Sequence, residues 1–74
     1  MYNIMIELAF GTLIRINCPK EGIKDLTAVV LAHDTSTNKV AYRIVANDFM
    51  GAKTYRIDRW YCTVIGTYNG TITL

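Results

Sequence analysis

The sequence predicts a small all-β domain in which five to six antiparallel strands curl into a barrel. Three features favour this class: apolar residues alternate with polar ones over the first quarter of the chain, a complete β-hairpin occupies the middle, and a hairpin turn stands near the end. β-Branched and aromatic residues fill these segments, as they do in strands. No stretch places apolar residues at the 3.6-residue period of a helix. Because 74 residues build only one core, residues 1–74 are expected to form a single domain.

The first predicted strand covers residues 4–17. Apolar side chains recur at every second position on both sides of Gly11, which is the pattern of a half-buried strand. A glycine inside such a pattern predicts a bulge or a sharp bend. Pro19 cannot donate a hydrogen bond to a neighbouring strand, so the strand ends before it and residues 19–26 are expected to form a surface loop.

The central hairpin has arms at residues 27–34 and 40–45, with turn-forming residues between them. Residues 47–52 are predicted to form a second loop and residues 53–58 a short strand. A tight corner is expected at Arg59 and Trp60, followed by a strand over residues 61–68. Asn69 and Gly70 are a strong two-residue hairpin signal, which predicts a closing strand at residues 71–74.

Closure into a barrel removes the exposed edges that so many short strands would otherwise leave. Because successive side chains of a strand point to opposite faces, the alternation of apolar and polar residues then predicts which side chains fill the barrel. The expected interior residues are Ile14, Ile16, Val29, Leu31, Tyr42, Ile44, Tyr55, Ile57 and Val64.

The pattern resembles the SH3-like small barrels, the group that includes KOW, Tudor and Sm-like domains. The resemblance rests on residues 11–16 as a first strand, 28–34 as a second, and 57–65 as the corner that leads into the last barrel strand. It covers residues 11 to 66 and implies that the first strand lies antiparallel to the last. Since a fold does not fix a function, function has to be inferred from surface chemistry.

The composition predicts an interaction surface. Hydrophobic residues make up 51% of the chain, and the mean hydropathy is +0.19. A domain this small cannot bury all of them, and exposed apolar area usually marks an interface. We therefore predict a homo-oligomer, most simply a two-fold dimer, with the N-terminal strand as its contact or the loop of Phe49 and Met50 as the next candidate.

The N-terminus predicts neither a signal peptide nor a membrane span. It has no basic region, Glu7 interrupts the apolar run, and the run is shorter than the roughly 20 residues that a span needs. A cytoplasmic location is expected, where Cys18 and Cys62 would be buried free thiols. A disulfide and half of a zinc site are the alternatives, although only His33 offers a third soft ligand.

No catalytic motif is present, so we predict that the protein is not an enzyme and uses no cofactor and no metal. His33 is the only histidine, and no sequence spacing links it to either cysteine as a nucleophile pair. The six carboxylates are scattered, and the five glycines never form a phosphate-binding loop.

A set of basic and aromatic residues predicts a nucleic-acid-binding face. Arg15, Arg43 and Arg56 alternate with apolar neighbours, so they are expected to point outward. Guanidinium groups beside aromatic rings suit phosphate contacts and base stacking. The predicted binding residues are Arg15, Arg43, Lys53, Arg56, Arg59, Trp60 and Tyr61. In the alternative interpretation they are solvated surface residues that balance the acids.

A second hypothesis makes the protein a protein-interaction module, either an adaptor or an inhibitor. Its size fits a viral or mobile-element accessory protein. The binding residues are then Phe49, Met50 and Trp60, since aromatic and methionine side chains are enriched at interface cores. Alternatively, Phe49 and Met50 fold back and plug one end of the barrel.

Overall fold

The chain forms one antiparallel sheet of five strands in the computed structural model, which describes residues 6–45 and 53–72. The strands are β1 (Thr12–Cys18), β2 (Ile23–Asp34), β3 (Lys39–Ile44), β4 (Tyr55–Asp58) and β5 (Cys62–Thr67). Two short 3₁₀ turns connect them, η1 (Pro19–Glu21) and η2 (Arg59–Tyr61). Within the described ranges, no helix is long and apolar enough to cross a membrane. The predicted all-β class is confirmed.

The strand order is β4-β3-β2-β1-β5, so β4 and β5 are the two edges of the sheet. In a flat sheet, four strand spacings would separate these edges by about 19 Å. Only η2 lies between Asp58 and Cys62, and four residue steps of a 3₁₀ helix reach about 8 Å. Cys62 Sγ lies 3.8 Å from the carbonyl oxygen of Asp58. The sheet must therefore be strongly curled.

The curled sheet is compatible with a small barrel-like fold, but it is not a closed barrel. No ladder joins β4 to β5 within the described residues. β4 has only four residues, and the chain leaves it directly through η2. The closure predicted from sequence is therefore wrong for the part of the chain that the structure describes.

The concave inner face of the sheet holds the core. Its buried residues are Leu8, Ile14, Ile16, Cys18, Ala28, Val30, Val40, Tyr42, Ile57 and Cys62. The prediction for β2 has the wrong parity, because Ala28 and Val30 face this core and Val29 does not. Residues 28–32 are all apolar, so period two cannot decide which of them face inward. Ile44, Tyr55 and Val64, also predicted to be interior, are more than 40% exposed.

The predicted first strand begins later than expected, at Thr12. Residues 6–10 are not in a strand, and residues 4 and 5 lie outside the described residues. The amide of Thr12 donates to the Ala9 carbonyl oxygen at 3.1 Å, and Gly11 has a φ of +90°. This turn directs Leu8 into the core, where it is 7% exposed.

The central hairpin is confirmed, and its first arm is longer than predicted. β2 begins at Ile23, which pairs with Cys18, because η1 and Gly22 reverse the chain within four residues. At the other end, residues 68–72 form no strand. The predicted hairpin at Asn69 and Gly70 is therefore not observed, and residues 73 and 74 lie outside the described residues. A Cβ at Gly70 would stand 2.6 Å from the Tyr68 ring, so this glycine packs beneath that ring.

Candidate nucleic-acid interface

The convex outer face of the sheet, opposite the core, carries three arginines. Arg15 follows the buried Ile14, Arg43 follows the buried Tyr42, and Arg56 precedes the buried Ile57. Successive side chains of a strand point to opposite faces. Arg15, Arg43 and Arg56 therefore lie together on the outer face, on β1, β3 and β4.

Arg43 and Arg56 are diagonal neighbours on this face. Arg56 pairs with Ala41, two residues from Arg43 on the adjacent strand. Such diagonal neighbours are about 7 to 8 Å apart. Arg15 lies two strands away, opposite Thr27 and Thr63. The three positive charges therefore follow a diagonal across the sheet, a spacing that suits successive contacts along a phosphate backbone.

The three arginines differ in how much their side chains are already engaged. Arg43 is half-buried, and its Nε donates to Thr54 Oγ1 at 3.4 Å. It also stands opposite Val29, which is fully buried. Arg15 and Arg56 are exposed and make no hydrogen bond or ion pair with any residue of the described ranges. Their guanidinium groups are therefore available to a ligand.

Two acids near this face, Asp34 and Asp58, are bonded to neighbours other than the arginines. Asp34 accepts hydrogen bonds from the Ser36 hydroxyl at 2.6 Å and from the Ser36 amide at 3.0 Å, and these bonds lower the pKa of its carboxyl. Asp58 lies 4.0 Å from Lys39 Nζ and accepts the Trp60 amide at 3.0 Å. Neither carboxylate forms an ion pair with Arg15 or Arg56, although Asp34 lines the same concavity as Arg56 and adds a negative charge there.

A shallow concavity of about 370 Å³ lies on the outer face near the tip of the central hairpin. Ala32 and Ala41 pair directly across the sheet there, and their short side chains leave the depression. Its remaining lining residues are Asp34, Thr37, Lys39 and Arg56. This volume is near the lower limit of small-ligand pockets, so it suits one small group rather than an extended ligand.

η2 places the last three predicted residues in three different environments. Arg59 Nη1 donates to the Cys62 carbonyl oxygen at 2.7 Å, so this guanidinium is already bound to the main chain. Tyr61 packs against the core, and Lys20 Nζ lies 5.3 Å from its ring centre. Trp60 is 84% exposed. Of these three, only Trp60 presents an open aromatic ring.

The remaining predicted residues include Lys53, which is exposed and precedes β4. Phe49 and Met50 lie outside the described residues, so their predicted role as a partner contact stays a prediction. The contact of Lys20 with Tyr61 was missed by sequence reasoning. No local pattern indicates it, because it joins η1 to η2, which are far apart in the chain.

The two cysteines are buried free thiols, as predicted. Cys18 Sγ lies 3.7 Å from Glu21 Oε2, and burial raises the pKa of Cys62 to about 11. His33 is buried, with Nδ1 accepting the Leu8 amide at 3.0 Å and Nε2 3.1 Å from Asn38 Oδ1. Among the described residues, no three His, Cys, Asp or Glu side chains are grouped so as to hold a metal ion.

Comparisons of the chain with protein-family models, with curated proteins and with solved structures find no match. Function is therefore inferred from the residues of this chain. The outer face brings Arg15, Arg43 and Arg56 together, with Asp34 and Asp58 beside Arg56. Trp60 is the most exposed large hydrophobic residue of the described ranges.

Proposed function

We propose that the protein is a non-enzymatic binding module that contacts nucleic acid, alone or within a nucleoprotein, through its outer face. The observation that carries the proposal is the placement of three arginines on one sheet face, two of them without partners among the described residues. Phosphate groups are the ligands that such a diagonal of guanidinium groups favours. The net charge of +2 permits this binding but does not require it.

The SH3-like architecture is part of the same proposal. Its support is the antiparallel pairing of β1 with β5, which the resemblance implies, together with the corner at η2. The core occupies the concave face, and Arg15 and Arg56 are exposed on the convex one, on either side of the buried Val29. Trp60 adds an aromatic plane on which a base can stack.

Binding should be weak and strongly dependent on salt. Each neutralised phosphate of a single strand contributes about 0.7 to the slope of log K against log salt concentration. The variant Arg15→Ala/Arg56→Ala loses two such contacts, so we expect the slope to fall by about 1.4. The measurement is fluorescence anisotropy of a labelled mixed-sequence oligonucleotide, titrated at several low salt concentrations.

Lys24→Ala is the control for a loss of positive charge elsewhere; it removes one exposed charge, against two in the test variant. Lys24 follows Ile23, which pairs with Cys18 at the opposite end of the sheet from Arg56. This variant should keep the wild-type slope apart from the small effect of net charge. Arg43 is left unchanged because it pairs with the buried Val29, and truncating it would disturb packing as well as charge. Absence of binding by folded wild-type protein at low ionic strength would remove the proposal.

The alternative is a protein-interaction module centred on Trp60, and the exposure of this ring favours it. Tryptophan is enriched at interface hot spots as well as at base-stacking sites. The oligonucleotide titration separates the two functions. If Trp60 stacks on a base, Trp60→Ala weakens binding by about 1 to 3 kcal/mol. If Trp60→Ala binds the oligonucleotide as wild type does, the ring serves a protein partner instead.

A further inference from the structure

We infer that the open edge of β5 is a self-association surface, on which a second copy of this chain adds its own β5 strand. This surface is distinct from the outer face and is independent of nucleic-acid binding. It is also distinct from the N-terminal strand and the loop of Phe49 and Met50, which the sequence suggests as dimer contacts.

β5 pairs only with β1 within the described residues, so its other side has no partner strand there. All five residues from Thr63 to Thr67 are exposed, with Val64 at 47% and Ile65 at 41%. Exposure at every position indicates that none of the described residues covers this edge. An uncovered edge presents a row of unpaired N–H and C=O groups to any strand that approaches it.

Arg59 marks the direction in which these groups point. The Cys62 amide donates to the Arg59 carbonyl oxygen, and the Cys62 carbonyl accepts from Arg59 Nη1. Both main-chain groups of Cys62 therefore point away from β1. Main-chain groups alternate between the two sides of an antiparallel strand, so those of Val64 point the same way. Arg59 blocks the edge at Cys62, and the edge is open at Val64.

The sequence of β5 suits pairing with an identical strand. Residues 62–67 carry no charge, so antiparallel pairing brings no like charges together. A two-fold axis at Val64 lets the two valines exchange both N–H···O bonds and packs two β-branched side chains against each other. Such a contact is the same patch on both copies, as two-fold symmetry requires.

The other edge of the sheet lacks these properties. β4 has four residues, and two of them, Arg56 and Asp58, are charged. Short length and charge are common means by which proteins protect an edge from pairing. β5 has six residues and no charge, so it lacks both of these protections, and Arg59 shields it only at Cys62. The bulge that makes Ile65 an extra residue opposite β1 limits regular pairing to a short stretch.

A short strand pair buries less area than the roughly 1,200 Å² that stable complexes need, so the dimer should be weak. We expect the mass in sedimentation experiments without nucleic acid to rise from that of one 8.4 kDa chain towards twice this value as concentration increases. The dissociation constant should be on the order of micromolar to millimolar. The Arg15→Ala/Arg56→Ala variant should dimerise as wild type does.

Val64→Pro is the test variant. Proline is tolerated on an edge strand where its nitrogen faces solvent, so the pairing of β5 with β1 is kept while the intermolecular N–H is lost. We expect dimerisation to weaken at least tenfold. Val64→Thr is the control, because it keeps the amide and the β-branch and should still dimerise. Circular dichroism checks folding, and Ile65→Lys, which puts a charge on the same edge, decides the matter if Val64→Pro is unfolded.

Four results would overturn the inference. The first is a mass of one chain at every concentration up to about 1 mM, and the second is a dimer that persists in the folded Val64→Pro or Ile65→Lys variant. The third is a species larger than two chains, since two-fold pairing closes at the dimer. The fourth is dissociation of the dimer on removal of residues 1–5, which would place the contact at the N-terminus instead.

Discussion

At the scale of single residues, His33 is the buried polar side chain that fastens the N-terminal segment to the sheet. Its Nδ1 accepts the buried Leu8 amide, so the ring carries its proton on Nε2, which faces Asn38 Oδ1. Residues 6–10 have no strand pairing, and this bond is what satisfies the main chain at Leu8. The histidine therefore has a structural role in this fold.

We expect His33→Phe to lower the free energy of unfolding by about 1 to 3 kcal/mol. The phenyl ring replaces an aromatic ring of similar size but leaves the buried Leu8 amide without an acceptor. Urea denaturation measures the change. Asn38→Gly is the control, since it removes only the partner of Nε2 and still tolerates the φ of +57° at this position. If His33→Phe is as stable as wild type, the bond to Leu8 does not hold the segment.

At the scale of elements, the connection between β1 and β2 shows how one residue sets a strand boundary. Gly22 ends η1 in the left-handed conformation, with a φ of 72°, and its amide donates to the Pro19 carbonyl oxygen at 3.0 Å. β2 then begins at once and pairs back on β1. A residue that resists this conformation would disturb both strands.

Gly22→Ala should lower the free energy of unfolding by about 1 kcal/mol. The cause is backbone strain alone, because no heavy atom lies within 4 Å of the position that a Cβ would take. Gly22→Asn should be less destabilising, since asparagine tolerates the left-handed region. Thermal or urea unfolding of the two variants gives the comparison. If both variants lose the same free energy of unfolding, the left-handed φ at this position is not the cause, and the presence of any side chain is.

At the scale of the whole molecule, the thiol of Cys62 links stability to alkaline pH. Burial raises the pKa of Cys62 from 9.0 to about 11, so the folded state disfavours the thiolate. Because the pKa of Cys62 is higher in the folded state than in the unfolded state, the protonated thiol stabilises the fold. This stabilisation is fully present below pH 9 and is lost as the pH rises towards 11. Any acid that is buried in its neutral form makes the fold less stable at alkaline pH in the same way.

We therefore expect the free energy of unfolding to decrease between pH 9 and pH 11 more steeply in wild type than in Cys62→Ala. Lysines and tyrosines titrate in the same range, so the difference between the two proteins isolates the thiol. Urea denaturation at several pH values provides the measurement. Parallel curves for the two proteins would show that the thiol of Cys62 does not contribute.

Much of the candidate site follows from period two alone. Alternation predicts that Arg15, Arg43 and Arg56 point away from the core, and it predicts both arms of the central hairpin. It does not reveal that Arg59 is bound to the carbonyl of Cys62. Nor does it reveal that Asp34 is hydrogen-bonded to Ser36 and that Asp58 lies beside Lys39. Those facts depend on contacts between side chains and main chain whose geometry no local pattern contains.

The sequence by itself determined that the chain is all-β, where its central hairpin turns and which strand residues carry positive charge, because these depend on neighbours within one strand. Only the tertiary structure decided the parity of β2, whose residues 28–32 are apolar on both faces. It also decided that residues 6–10 leave the sheet and that β5 ends as an open edge. Pairing, curl and edge exposure depend on strands that are distant in the chain, and local alternation is identical whether such a partner strand is present or absent.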